Sequence, residues 1–145
     1  MEPKPFQLEH LDVFAWRDED LELYGKSSEI VEAMKNHEAG ECFIGFYDGR
    51  ILVIGGVIPR THKTGYAFTI FSQHADRHKI IVAKAVRQMF NSIVESMGLH
   101  RVVTYNRMGA ESHNKWCEWL GFKAECPVEK FDDDGNTYMQ YALIR

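Results

Sequence analysis

Long apolar runs are missing from this 145-residue chain. A membrane-crossing helix needs about 20 consecutive apolar residues, and no stretch approaches that, so no role in a membrane is expected. Cysteine is scarce: Cys42, Cys117 and Cys126 are the only three, and no CxxC pair occurs. An odd count without paired spacing is neither a disulfide framework nor a zinc site, and it fits a reducing compartment. The opening residues MEPKPFQLEHLD contain no apolar signal core, so the chain is expected to be cytoplasmic. An excess of positive charge is also absent: 17 Lys and Arg stand against 21 Asp and Glu, for a net charge of −4. That balance argues against nucleic acid as a partner. Repeats, low-complexity tracts and linkers are lacking as well, which predicts a single domain over residues 1–145.

What is present suits a folded protein. Apolar residues make up 45% and charged residues 26%, values ordinary for a globular chain. A chain of this length buries roughly 70% of its unfolded surface, enough for a core without disulfides or a structural metal.

Periodicity gives the order of elements. Phe6–Phe14 alternates in part and predicts a short first strand. Ser27–Ser28 offer a cap ahead of Ile30, Val31 and Met34 at helical spacing, with Gly40 just past the end. Glu41–Tyr47 and Ile51–Ile58 flank the turn pair Asp48–Gly49 and predict a hairpin. Gly55–Gly56 within it points to a bulge or a close backbone contact. Another strand is expected at Gly65–Phe71. Val82, Ala85, Val86, Met89, Ile93 and Met97 then share one face of a long amphipathic helix that ends at Gly98. A strand over His100–Tyr105, a helix over Ser112–Leu120 and two strands, Phe122–Phe131 and Tyr138–Ile144, complete the chain. Trp116 and Trp119 are expected in the core. Strand–helix–strand in the middle implies one parallel pair among antiparallel strands.

This layout, with HRVVTYN followed by a helix closing on Trp119-Leu120-Gly121-Phe122, resembles the GNAT superfamily of acyl-CoA N-acyltransferases. The resemblance covers the whole chain in layout and is strongest over His100–Ala124. It implies an α/β (α+β) fold: a mixed, mostly antiparallel sheet of six to seven strands with a central parallel pair, flanked by three to four helices. It implies an N-acetyltransferase that moves an acetyl group from acetyl-CoA to an amine acceptor. The spacing of Ser112-His113 before Gly-Phe is also similar to small GNAT-like proteins of tailed phages. That likeness implies the alternative, a GNAT-fold protein without catalysis that serves as a structural or binding component.

Three positions depart from the family pattern. The cofactor loop, normally Arg/Gln-x-x-Gly-x-Gly/Ala, is here Ser72–Ile81 and holds no glycine. Ala110 stands where the family keeps asparagine, with Asn106 nearby, and Cys117 stands where it keeps tyrosine. By the resemblance, Ile70, Phe71 and Ser72 border the slot for the pantetheine arm, whose amides pair with a strand edge. Arg77, His78 and Lys79 fall at a helix start, where cations can bind phosphate by charge-assisted bonds. The alternative there is a solvated first turn with Asp76 as N-cap. Cys117 and His113 lie four apart on one helical face, a spacing that allows a thiol to donate a proton to the leaving thiolate; a buried structural cysteine is the other reading. Asn106 ends the strand beside the expected acyl group. His74 and His78 have metal-ligand spacing but no accompanying HExxH or carboxylates, so no metal is expected. Asp132–Asp134 reads as a solvated turn. Neither the acceptor nor an oligomeric state can be read from the residues.

Overall fold

The structure is a computed structural model, and it describes residues 1–20, Glu32 and 41–145. The expected helix around Ile30–Met34, its Ser27–Ser28 cap and Gly40 lie outside the described residues. Among the described residues, seven strands hydrogen-bond in the order β1-β2-β3-β4-β5-β7-β6. They are β1 Glu2–Pro5, β2 Cys42–Tyr47, β3 Arg50–Pro59, β4 Thr64–Phe71, β5 Arg101–Arg107, β6 Lys123–Val128 and β7 Tyr138–Ile144. Helix α1 spans His10–Val13, a 3₁₀ turn spans Ala75–His78, α2 spans Lys79–Ser96 and α3 spans Glu111–Trp119. The pairs β1–β2, β2–β3, β5–β7 and β6–β7 are antiparallel, and β4–β5 is parallel. This is the mixed sheet with one parallel pair that the sequence implied.

The residues fall into two compact units: Met1–Ile58 with Phe68–Ser96, and Pro59–Ala67 with Met97–Arg145. In the first unit, Phe6, Leu52, Ile54, Ile70 and Val86 are fully or almost fully buried. Each such side chain contributes about 1.5–3 kcal/mol relative to exposure. The Asp48–Gly49 turn has φ of 52° and 74°, the positive pair a two-residue hairpin requires. A register shift falls between Gly45 and Phe46 of β2, which face Val53 and Ile51. The bulge is therefore at Leu52 of β3, while Gly56 makes the close approach: a Cβ there would meet Glu41 O and lie 2.9 Å from Cys42 Cα.

Two expectations are corrected in this unit. The first strand is Glu2–Pro5 and not Phe6–Phe14. Pro3 and Pro5 hide it from a propensity reading, yet the position is a sheet edge, where a missing N–H is tolerated. Phe6 follows as a core anchor and its N–H donates to Cys42 O at 3.1 Å. His10 then turns the chain, its Nδ1 accepting from Gln7 N at 2.9 Å. On α2 the buried stripe is Val82, Val86, Phe90, Ile93 and Val94. Phe90 and Val94 join it, while Ala85, Met89 and Met97 are only half-buried.

In the second unit, Val102, Leu120, Phe122, Tyr141 and Leu143 are buried. Trp116 and Trp119 do not enter that core. They stack on each other on α3, with ring centroids 5.6 Å apart, and Trp119 stays 41% exposed. Cys117 and Leu120 take the inward positions instead. No helix among the described residues is long and apolar enough to cross a membrane.

Candidate functional site

In the first unit, the end of β4 is tied into a tight turn that opens α2. Ser72 is fully buried and is the centre of that knot. Its N–H donates to Leu52 O at 2.9 Å, and its carbonyl accepts from Ala75 N at 3.2 Å and from Arg17 Nε at 3.3 Å. Its hydroxyl accepts from His74 N at 3.1 Å. Gln73 N donates to Ala15 O at 2.9 Å, and Gln73 Nε2 to Trp16 O at 2.6 Å. Three successive amides, those of Gln73, His74 and Ala75, are thus consumed inside the protein.

Cationic side chains crowd the same turn. Arg77 and Lys79 are exposed, at the end of the 3₁₀ turn and the first position of α2. The His78 ring packs edge-on against Tyr47 at 4.9 Å. Arg50 Nη1 lies 3.3 Å from His74 Nδ1. Asp76 caps nothing: the cap position is His74, and Asp76 Oδ1 accepts from Arg17 Nη2 at 2.8 Å. The ion pair neutralises the one acid within the turn. Arg17 also lies over the Phe71 ring at 5.8 Å. Of the expected residues, Ile70 is core, Phe71 is half-buried beneath Arg17, and Ser72 is structural in every polar group it has. Arg17 and Arg50 join the turn from distant parts of the chain. Spacing within the loop carries no signal for either, because each arrives only through folding.

In the second unit, Asn106 ends β5 and reaches α3. Its Nδ2 donates to Cys117 Sγ at 3.0 Å and to His113 O at 3.2 Å. Cys117 is buried, and that burial pushes its thiol above the usual value, with the Asn106 hydrogen bond opposing and Glu118 adding to the rise. At neutral pH the group is therefore a thiol, able to hold or give a proton and poorly suited to attack as a thiolate. His113 is exposed, and it is its carbonyl that joins the Asn106 network. Asn114, one turn before Cys117, has a buried Oδ1 without a partner among the described residues. Its spacing from Cys117 was the signal available in the sequence. Among the described residues no three His, Cys, Asp or Glu side chains gather as a metal site.

Three solved structures, two of them named as acetyltransferases, share this architecture. Ard1 from Thermoplasma volcanium superposes with a TM-score of 0.80 at 9% identity, covering 99% of this chain and 96% of that one. A spermidine N-acetyltransferase chimera from Vibrio cholerae and hSSAT gives 0.75 at 11%, covering 99% and 96%. An acetyltransferase of the GNAT family from Bacillus anthracis gives 0.72 at 12%, covering 98% and 93%.

The chain has the GNAT fold.

At these identities the likeness is one of fold alone, which does not fix function. No family model matches the sequence, and no curated protein matches it. Where a GNAT loop carries glycines, this one carries a hydrogen-bonded knot around Ser72 with basic side chains around it.

Proposed function

We propose that the protein is an N-acetyltransferase of the GNAT type, acting with acetyl-CoA on an amine. The observation that carries this reading is the basic turn at the start of α2. Arg77 and Lys79 are exposed on it, Arg50 reaches His74, and Arg17 is paired with Asp76. The fit to the cofactor is one of charge. The amides of Gln73, His74 and Ala75 are already used, so Arg77 and Lys79 would hold the phosphates with side-chain donors. Bound acetyl-CoA would supply a thioester-activated acetyl group. In the second unit, Cys117 keeps its proton on Sγ at neutral pH, and Asn106 fixes the sulfur from one side. Cys117 is assigned as proton donor and not as nucleophile, and exposed His113 as the group that takes up a proton from an amine.

The occupied amides favour a second reading, a GNAT-fold protein that binds a partner without catalysis. Release of free thiol from acetyl-CoA, followed over a panel of polyamines, amino acids and peptide N-termini, separates the two. Amine-dependent release that falls in Arg77→Ala/Lys79→Ala supports the transferase. Absence of release with every amine, at millimolar acetyl-CoA, leaves the second reading.

A further inference from the structure

A second arrangement lies within the second unit, on the sheet face away from Asn106. Pairing puts Thr64 and Tyr66 of β4 beside Arg101 and Val103 of β5. Side-chain alternation puts Tyr105 on that same face. The rings form a chain of contacts: Tyr66 to Tyr105 at 5.8 Å, Tyr105 to Phe131 at 4.8 Å, and Phe131 to Tyr138 at 4.5 Å. Interplanar angles of 31–33° mark tilted, offset contacts. The row is not sealed, since Phe131 is 42% exposed.

Two cations stand at one end of this row. The Arg60 guanidinium lies over Tyr66, 5.3 Å from the ring centroid. Arg101 donates through one Nη2 to Glu125, which also accepts from Gln140 Nε2 at 2.9 Å. A guanidinium has five N–H donors, so that bond leaves Arg101 further donors. A cavity of about 180 Å³ opens here, lined by Arg60, Thr64, Gly65, Arg101, Val103 and Tyr105. Its charged lining residues are both arginines, and Glu125 is not part of the lining.

We propose that this cavity binds a planar aromatic anion, its charged group on Arg60 and Arg101 and its ring against Val103 and Tyr105. The lining selects among ligand classes. A cation meets the Arg60 guanidinium and an Arg101 already paired with Glu125, and a neutral apolar ligand strips water from guanidinium groups without offsetting that cost. An inorganic anion leaves the aromatic wall unused. A carboxylate or phosphate on a flat ring answers both features, since guanidinium binds either oxyanion through paired donors. The site involves none of the residues assigned to acetyl transfer, so it stands or falls separately from that function.

The test is calorimetric titration of the full chain with naphthoate, with the neutral analogue naphthalenemethanol, and with adenosine monophosphate. Naphthoate is expected to bind, and the neutral alcohol about tenfold more weakly, a difference of about 1.4 kcal/mol. Arg60→Ala, on an exposed side chain, should weaken naphthoate by about tenfold while the far-UV circular dichroism stays native. Tyr105→Leu should weaken the acid and the alcohol alike. Adenosine monophosphate binding that exceeds naphthoate and falls equally in Arg60→Ala identifies the head group as phosphate and supports the site. Failure of both anions to bind, equal binding of acid and alcohol, or anion binding unchanged in Arg60→Ala overturns it.

Discussion

Asn106 Nδ2 donates to Cys117 Sγ at 3.0 Å, and the same nitrogen donates to His113 O at 3.2 Å. One side-chain amide thus fastens the end of β5 to two successive turns of α3. Removing it leaves the buried Cys117 sulfur without that donor. Asn106→Ala is expected to destabilise the protein by about 1–2 kcal/mol, read from the urea midpoint. A double-mutant cycle with Cys117→Ala should return a coupling well above zero, and additivity would mean that the contact contributes nothing.

The thiols should differ sharply in reactivity. Cys126 is exposed on edge strand β6, whereas Cys42 and Cys117 are buried. Burial raises both buried thiols, Cys42 to about 12 with help from the Glu41 charge. Native alkylation near neutral pH, mapped by mass spectrometry, should modify Cys126 first, Cys117 far more slowly, and Cys42 only after unfolding. Cys117 labelled as fast as Cys126 would remove the case for a protonated, enclosed thiol.

Acid should weaken the β5–β6–β7 corner. The Arg101 guanidinium beside Glu125, together with Gln140, holds the Glu125 carboxyl below its ordinary value of 4.5. A depressed folded value means the stabilisation is present above pH 4.5 and is lost as pH falls through the lower folded value. Both side chains are about one-third exposed, so solvent screening keeps the effect small. Glu125→Gln should flatten the acid limb of the stability curve below pH 4.5 and lower the neutral plateau slightly, by the same small amount, so that the two curves converge in acid.

Gly56 is a packing constraint that the sequence signalled. A Cβ there would strike Glu41 O and Cys42 Cα, and both are backbone neighbours that cannot swing aside. Gly56→Ala should cost about 2–3 kcal/mol by overpacking. By contrast Gly49→Asn, at a φ of 74° with nothing near its missing side chain, should be almost neutral. Thermal melts of the two variants check the contrast.

The legible parts of the fold were those with strong local signals. Asp48–Gly49, the stripe beginning at Val82 and Val86, and the Gly121-Phe122 closure each follow from chain-local physics, and the observed elements match them within a few residues. Pro3 and Pro5 concealed β1, because whether a proline is tolerated depends on lying at a sheet edge, which only the assembled strand order shows. Trp116 and Trp119 misled in the opposite direction. Large rings are expected inside, but on a nine-residue helix Cys117 and Leu120 occupy the inward positions and the rings stack outside. At the candidate site, Arg77, His78 and Lys79 were visible as a basic run. Arg17, Arg50 and the Ser72 knot were not, since they depend on contacts 55 or more residues apart for Arg17 and 24 for Arg50.

The central claim is that a basic turn without glycine holds acetyl-CoA by its side chains. Isothermal titration with acetyl-CoA, on the native chain and on Arg77→Ala/Lys79→Ala, tests it most directly. Binding in the micromolar range is predicted, with at least about a tenfold loss in the double variant and a marked weakening at high salt. No heat of binding at millimolar acetyl-CoA, or binding unchanged by the double substitution, would contradict it.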